Sequence, residues 1–130
     1  MYRYQITIEY VGTDFKGFQI QKKGTTVQKL IQTVLKKILK EKVKLLASGR
    51  TDAGVHANGQ SAHFDTTKKI KNINKFIHSL NFFLNKKLVS IKEIKNQKLT
   101  FHSRYSAKER IYKYQILNRL APPSIDFNRV

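Results

Sequence analysis

The chain has 130 residues, 40% of them hydrophobic, which allows one domain with a real core, or one domain plus part of another. It has no cysteine, which excludes disulfides and thiolate metal sites, and it carries no apolar run long enough to span a bilayer. Its 26 Lys and Arg against 8 Asp and Glu give a formal net charge of +18, more than solubility needs, and point to a polyanionic partner, nucleic acid first.

The N-terminus, MYRYQITIEY, lacks the apolar core of a signal peptide, so a cytoplasmic location is the default. Residues 2–10 read as a strand, with Tyr2, Tyr4, Ile6, Ile8 and Tyr10 on one face and Arg3, Gln5, Thr7 and Glu9 on the other. After a loop containing glycine and lysine, Thr25 to about Glu41 reads as a helix. Val27, Leu30, Ile31, Val34, Leu35, Ile38 and Leu39 form one apolar stripe, and Thr25 with Gln28 makes a capping-box start. Lys42 to Ala47 is a short strand running into the loop ASGRTDAGVHANGQ, and Gln60 to Asp65 is the next strand. Asn72 caps a second helix whose Ile73, Phe76, Ile77 and Leu80 share a face, and Leu88 to Lys95 is a fourth strand. The order β-α-β-β-α-β predicts an α+β, ferredoxin-like sheet with two helices on one face, its other face left for a ligand or a second sheet. A further strand is expected at Ile111–Leu117, with Tyr112, Tyr114 and Ile116 on one side, before Pro122-Pro123. The expected division is residues 1–105 as the loop-bearing domain and 106–130 as the start of a second one.

The loop is either an overbuilt turn or the place where a carboxylate does chemistry. No zinc set is legible in the sequence. Gly54 between Asp52 and His56 argues against a helical ligand pair, and His63, His78 and His102 show no ligand spacing. There is no G-x-S-x-G elbow, no P-loop lysine, and no second acid paired with Asp52 for glycoside hydrolysis. What remains is a carboxylate, Asp52, two residues after Arg50. Arg50 either keeps Asp52 ionised and oriented or binds a phosphate beside it. An ionised Asp can act as nucleophile or base. The plainer alternative is that Arg50 and Asp52 brace the connection between two strands.

GRTDAGVHA, Gly49 to Ala57, closely resembles the signature of the bacterial tRNA pseudouridine synthase A family. EYVGTDFKGFQIQ resembles that family's first strand and loop, TTVQKLIQTVLKKIL its first helix, GQSAHFDT the strand after the signature, and FHSRYSA the basic segment before a strand beginning near IYKYQI. The likeness spans essentially the whole chain. It implies that Asp52 is the catalytic residue, that Arg50 flips and holds the target nucleotide, and that Tyr112 stacks on the uracil. The implied reaction detaches uracil at N1 and rejoins it through C5, in the anticodon stem-loop of tRNAs, without metal or organic cofactor. Whether Asp52 attacks the sugar or removes a 2′ proton stays open. Base extrusion from a stem requires a cation beside the vacated place and a ring to receive the base, which suits Arg50 and Tyr112.

Three departures from the family pattern are visible. Gly17-Phe18-Gln19 stands where the family has Gly-Trp-Gln, and Leu84–Leu88 lacks the family's proline and acid. The family's second domain, which lines the cleft and supplies a basic partner for the aspartate, has no counterpart, so the chain reads as an N-terminal portion. A homodimer is expected, because an unpaired strand edge invites pairing. His56 and His102 are expected as structural hydrogen-bonding residues, Phe15 and Phe18 as packing, and Arg104 and Arg110 as phosphate or surface contacts. The rival class is a non-catalytic RNA-binding module. No RNP1 pattern is present, and such a module has no use for Asp52 in a positive loop.

Overall fold

The computed structural model describes residues 1–130. In chain order it contains β1 (Tyr2–Tyr10), α1 (Val27–Leu39), β2 (Leu46–Ala47), β3 (Ala57–Thr66), α2 (Ile73–Leu84) and β4 (Val89–Gln97), with one 3-10 turn at Asn85–Lys87. The strands form one antiparallel sheet in the order β2-β3-β1-β4, the ferredoxin-like arrangement expected from the sequence. No helix is long and apolar enough to cross a membrane.

Strand alternation decides which face is buried. Tyr4, Ile6, Ile8 and Tyr10 of β1, with Ala62 and Phe64 of β3, point under the helices and are buried. Val27, Ile31, Val34, Leu35 and Leu39 of α1 and Phe76, Leu80 and Leu84 of α2 close the core from above. The opposite face is polar and cross-linked by side chains. Gln97 Nε2 donates to Gln5 Oε1 at 2.8 Å, and Gln5 Nε2 donates to Ser61 Oγ at 2.9 Å. At one end of that face Arg3 donates through Nε and Nη2 to the Asp65 carboxylate at 2.7 and 2.9 Å, and its Nη1 donates to the carbonyl oxygens of Leu99 and Phe101.

The element boundaries differ from the sequence reading for identifiable reasons. α1 is capped by Thr26 rather than Thr25: Thr26 Oγ1 accepts from the Lys29 amide at 3.3 Å. Gln28 therefore closes no capping box and reaches elsewhere. Its Nε2 donates to the Leu45 carbonyl at 2.7 Å, while Gln32 Oε1 accepts from the Leu45 amide at 2.9 Å. Those two glutamines take the place of a strand partner, so β2 shrinks to Leu46–Ala47. Asn72 caps α2 as expected, accepting from the Lys75 amide at 3.0 Å. β3 starts earlier than the alternation suggests, because two of its residues stand opposite one of β1 between the Ile8–Gln60 and Tyr10–Ala57 pairs. The segment Ile111–Leu117 has no ladder partner in the sheet, and Ile111, Tyr112, Tyr114 and Ile116 are exposed.

Candidate active site

Two loops meet at the Tyr10 end of β1: residues 11–26, between β1 and α1, and residues 48–56, between β2 and β3. They are joined mainly through backbone. The Phe18 amide donates to the Thr51 carbonyl at 3.1 Å and the Gly54 amide to the Phe15 carbonyl at 3.4 Å, while within the second loop the Val55 amide closes a turn onto the Asp52 carbonyl at 3.1 Å. Gly12 donates its amide to His56 Nδ1 at 2.9 Å. This bond makes Nδ1 an acceptor and puts the ring proton on Nε2, which donates to the Asn128 carbonyl. The Tyr10 and Thr51 hydroxyls lie 2.6 Å apart, and burial raises the Tyr10 pKa while the bond to Thr51 opposes the rise. Gly17 is required here twice over. Its φ is +83°, and a Cβ there would sit 2.7 Å from the Thr51 carbonyl oxygen. Gln60 supports the loop from β3, with Nε2 donating to the Gly49 carbonyl at 2.7 Å and Oε1 accepting from Ser48 Oγ at 3.0 Å.

On this fixed backbone Arg50 and Asp52 are both exposed, and neither side chain makes a hydrogen bond or an ion pair with the protein. No ion pair between Arg50 and Asp52 is formed. The bracing alternative also fails at the level of side chains, since the loop is braced by Thr51, Gln60, His56 and main-chain groups. Tyr112 comes to the same loop from the far side. Its hydroxyl would be 3.8 Å from a Cβ built on Gly49, and the residue is 64% exposed.

Arg110 is exposed, and its contacts are with the protein surface, one of the two roles expected for it. Nε and Nη2 donate to the Ser48 carbonyl at 3.1 and 2.7 Å, and Nη2 also donates to the Arg104 carbonyl at 3.0 Å. This clamp delivers Tyr112 to Gly49, and no local pattern announces it, because carbonyl-binding and phosphate-binding arginines look alike in sequence. His56 and His102 are structural as expected, His102 Nδ1 accepting from the Arg104 amide at 3.1 Å. Phe15 and Phe18 are buried packing residues, Phe18 with its ring centroid 6.2 Å from that of Tyr10. No group of three or more His, Cys, Asp or Glu side chains converges anywhere in the chain.

A buried histidine lies beyond this loop. His63 of β3 is packed under residues 101–105, and its Nδ1 accepts from the Ser103 amide at 3.1 Å. Its Nε2 is buried with no partner. Burial, with added repulsion from Arg3 and His102, pushes its pKa down to about 4, so the ring is neutral at physiological pH.

Comparison with known proteins agrees with the sequence signature. Residues 6–106 match the family model described as tRNA pseudouridine synthase. The chain is 58% identical over 129 residues to the tRNA pseudouridine synthase A of Pelagibacter ubique (strain HTCC1062), covering 99% of this chain and 52% of that protein. It is 41% identical over 127 residues to the tRNA pseudouridine synthase A of Neorickettsia sennetsu (strain ATCC VR-367 / Miyayama), covering 98% and 52%. The chain thus spans about half the length of these curated relatives. A model match running from β1 through the Asp52 loop and β4 to the turn that covers His63 establishes that this chain belongs to the tRNA pseudouridine synthase family.

Proposed function

We propose that the chain carries the catalytic loop of an enzyme that isomerises uridine to pseudouridine in the anticodon stem-loop of tRNAs, with Asp52 as the catalytic residue. The observation that carries the reading is the state of Asp52. An exposed carboxylate with no internal partner sits on a loop immobilised through its backbone, in a chain of net charge +18. A carboxylate there weakens phosphate binding, so a pure binding module gains nothing from it. A reaction that needs an ionised carboxylate does.

In the proposed step the N1–C1′ bond of the target uridine breaks and the uracil turns. A C5–C1′ bond forms, the C5 proton leaves to solvent, and N1 takes up a proton. Asp52 acts either by attack on C1′ or by removal of a 2′ proton. Arg50, with its guanidinium unoccupied, holds the backbone phosphate of the extruded nucleotide. Tyr112, largely exposed beside Gly49, stacks on the base. We further propose that residues 1–105 are the loop-bearing unit and 106–130 the start of a second. The hydrophobic core ends at Ile94, and the later segment is attached chiefly through Arg110 and Asn128. A second copy of the chain is the proposed cover for the exposed Tyr114, Ile116 and Leu120, and light scattering that finds only monomer at high concentration refutes that cover.

The test is tritium release from C5-labelled uridine in an unmodified tRNA transcript, beside filter binding of the same RNA. Release that disappears in Asp52→Asn while binding persists supports the enzyme. Equal release from both proteins removes Asp52 from the chemistry, and tight binding without release from either favours the non-catalytic RNA-binding module.

A further inference from the structure

A second feature of the surface borders the same loops. An open groove of about 510 Å³ runs along the first half of α1, between residues 19–20 and residues 42–44. Lys42 and Lys44 line it on one side, while Val43 and Leu45 between and after them are buried, so the alternation points both ammonium groups the same way. Neither lysine has an ion-pair partner, and no acidic side chain lines the groove.

Hydrogen-bond accounting gives the other walls a sign as well. Gln28 Oε1 accepts from the Ile20 amide at 2.8 Å, and Gln32 Oε1 accepts from the Leu45 amide at 2.9 Å. Because backbone N–H groups must meet oxygen, these bonds fix the orientation of both amides. The oxygens are turned to the protein. One hydrogen on Gln28 Nε2 and both on Gln32 Nε2 remain unused. The first turn of α1, beside the groove, contains no acid. The groove therefore offers donors and cations to an anion.

We propose that this groove is a phosphodiester track, which holds the RNA strand as it leaves the Asp52 loop; the assignment rests on the tRNA reading above. Continuity favours a polymer over a free anion. Gln19 directly follows Phe18, whose amide is bonded to Thr51, and Lys42–Lys44 lead through β2 into the same loop. The groove is open rather than closed around one small anion, and its two lysines are of the kind that contact phosphates along a nucleic-acid backbone.

The experiment measures binding of an unmodified tRNA transcript to the full chain by fluorescence anisotropy across a salt series. The unchanged protein is compared with Lys42→Gln/Lys44→Gln and with Lys95→Gln/Lys98→Gln. The second pair makes the same charge change but lies on and just after β4, at the opposite edge of the sheet from β2. Removing one lysine–phosphate interaction lowers the slope of log Kd against log salt by about 0.7 to 0.9, so the groove pair is expected to lower it by up to about 1.8 and to weaken binding about tenfold or more at low salt. The far pair is expected to stay within about twofold of the unchanged protein, since long-range screening removes most of a distant charge. Gln32→Glu retains an acceptor for Leu45 and adds a negative charge, so it is expected to weaken binding with an unchanged thermal melt. Equal weakening by the two lysine pairs overturns the groove and leaves the tRNA reading standing. Full displacement of RNA by inorganic phosphate at matched ionic strength also overturns it, in favour of a small-anion site. An unchanged protein that shows no salt-dependent tRNA binding overturns both.

Discussion

Replacing Gly12 by alanine isolates how the two loops are held together. Gly12 has no left-handed backbone, so alanine is tolerated by its φ. Space is the obstacle, because the new Cβ would lie 2.0 Å from the Val55 carbonyl oxygen and 2.7 Å from its carbon, both main-chain atoms that no rotamer change can move. One loop has to retreat from the other by at least about 1 Å, and overpacking of that kind costs about 1–3 kcal/mol. Retreat also stretches the Gly12 amide bond to His56 and the Gly54 amide bond to the Phe15 carbonyl. At about 1 kcal/mol each, these bring the total to about 3–5 kcal/mol. Gly54 is the internal standard. Its φ is +82° and a Cβ there meets nothing within 4 Å, so alanine costs only the left-handed conformation, about 1–2 kcal/mol, partly offset by a less flexible unfolded chain. Urea unfolding followed by circular dichroism reads both. With a slope of about 1–3 kcal/mol per molar, Gly12→Ala is expected to lower the midpoint by about 1–5 M and Gly54→Ala by about a third as much. A midpoint for Gly12→Ala at or above that of Gly54→Ala refutes the close approach of the two loops.

Asp52→Asn is expected to change stability by no more than about 0.5 kcal/mol, since the side chain has no internal contact; thermal unfolding that falls by several degrees contradicts that description. Acidification is expected to destabilise the fold in two stages. The His63 pKa of about 4 lies below its unfolded value of 6.5, so the unfolded chain binds the extra proton and stability falls as pH drops from about 6.5 to 4, by an amount on the order of 3 kcal/mol. Asp65, whose pKa is lowered by its bonds to Arg3, adds a loss as pH falls below the ordinary carboxylate range. His63→Gln that retains the full slope between pH 6.5 and 4 rules out the first stage. Arg110→Ala is expected to release the segment after it, with tryptic cleavage at Lys113 about fivefold faster at an unchanged global melt; unchanged cleavage shows that the clamp holds nothing in solution.

The sequence was most legible where one physical rule acted alone. The 3.6-residue stripe of α1, the Asn72 cap and the alternation of β1 each stand in the structure as read. It was least legible where side chains from distant positions replaced local pairing. Nothing around Lys42–Ala47 signals that Gln28 and Gln32 satisfy Leu45 and shorten β2. At the candidate site, the exposed loop around Arg50 and Asp52 was legible from its glycines. Gly12, Arg110 and the Tyr10–Thr51 bond were not, because their partners lie about 40 to 60 residues away along the chain. The polar face of the sheet was read from alternation, but its partial cover by Ser103 over His63 depends on a turn whose sequence, FHSRYS, carries no packing signal.

The Asp52 loop separates what the fold selects from what chemistry selects. A library randomised over residues 48–56 and sorted only for folded protein is expected to keep Thr51 and His56 enriched while Arg50 and Asp52 drift toward any polar residue. Under the proposed function, sorting the same library for tRNA modification is expected to restore both. Substitution tolerance under the first regime and intolerance under the second is a signature that directed evolution can read with no assumption about the reaction.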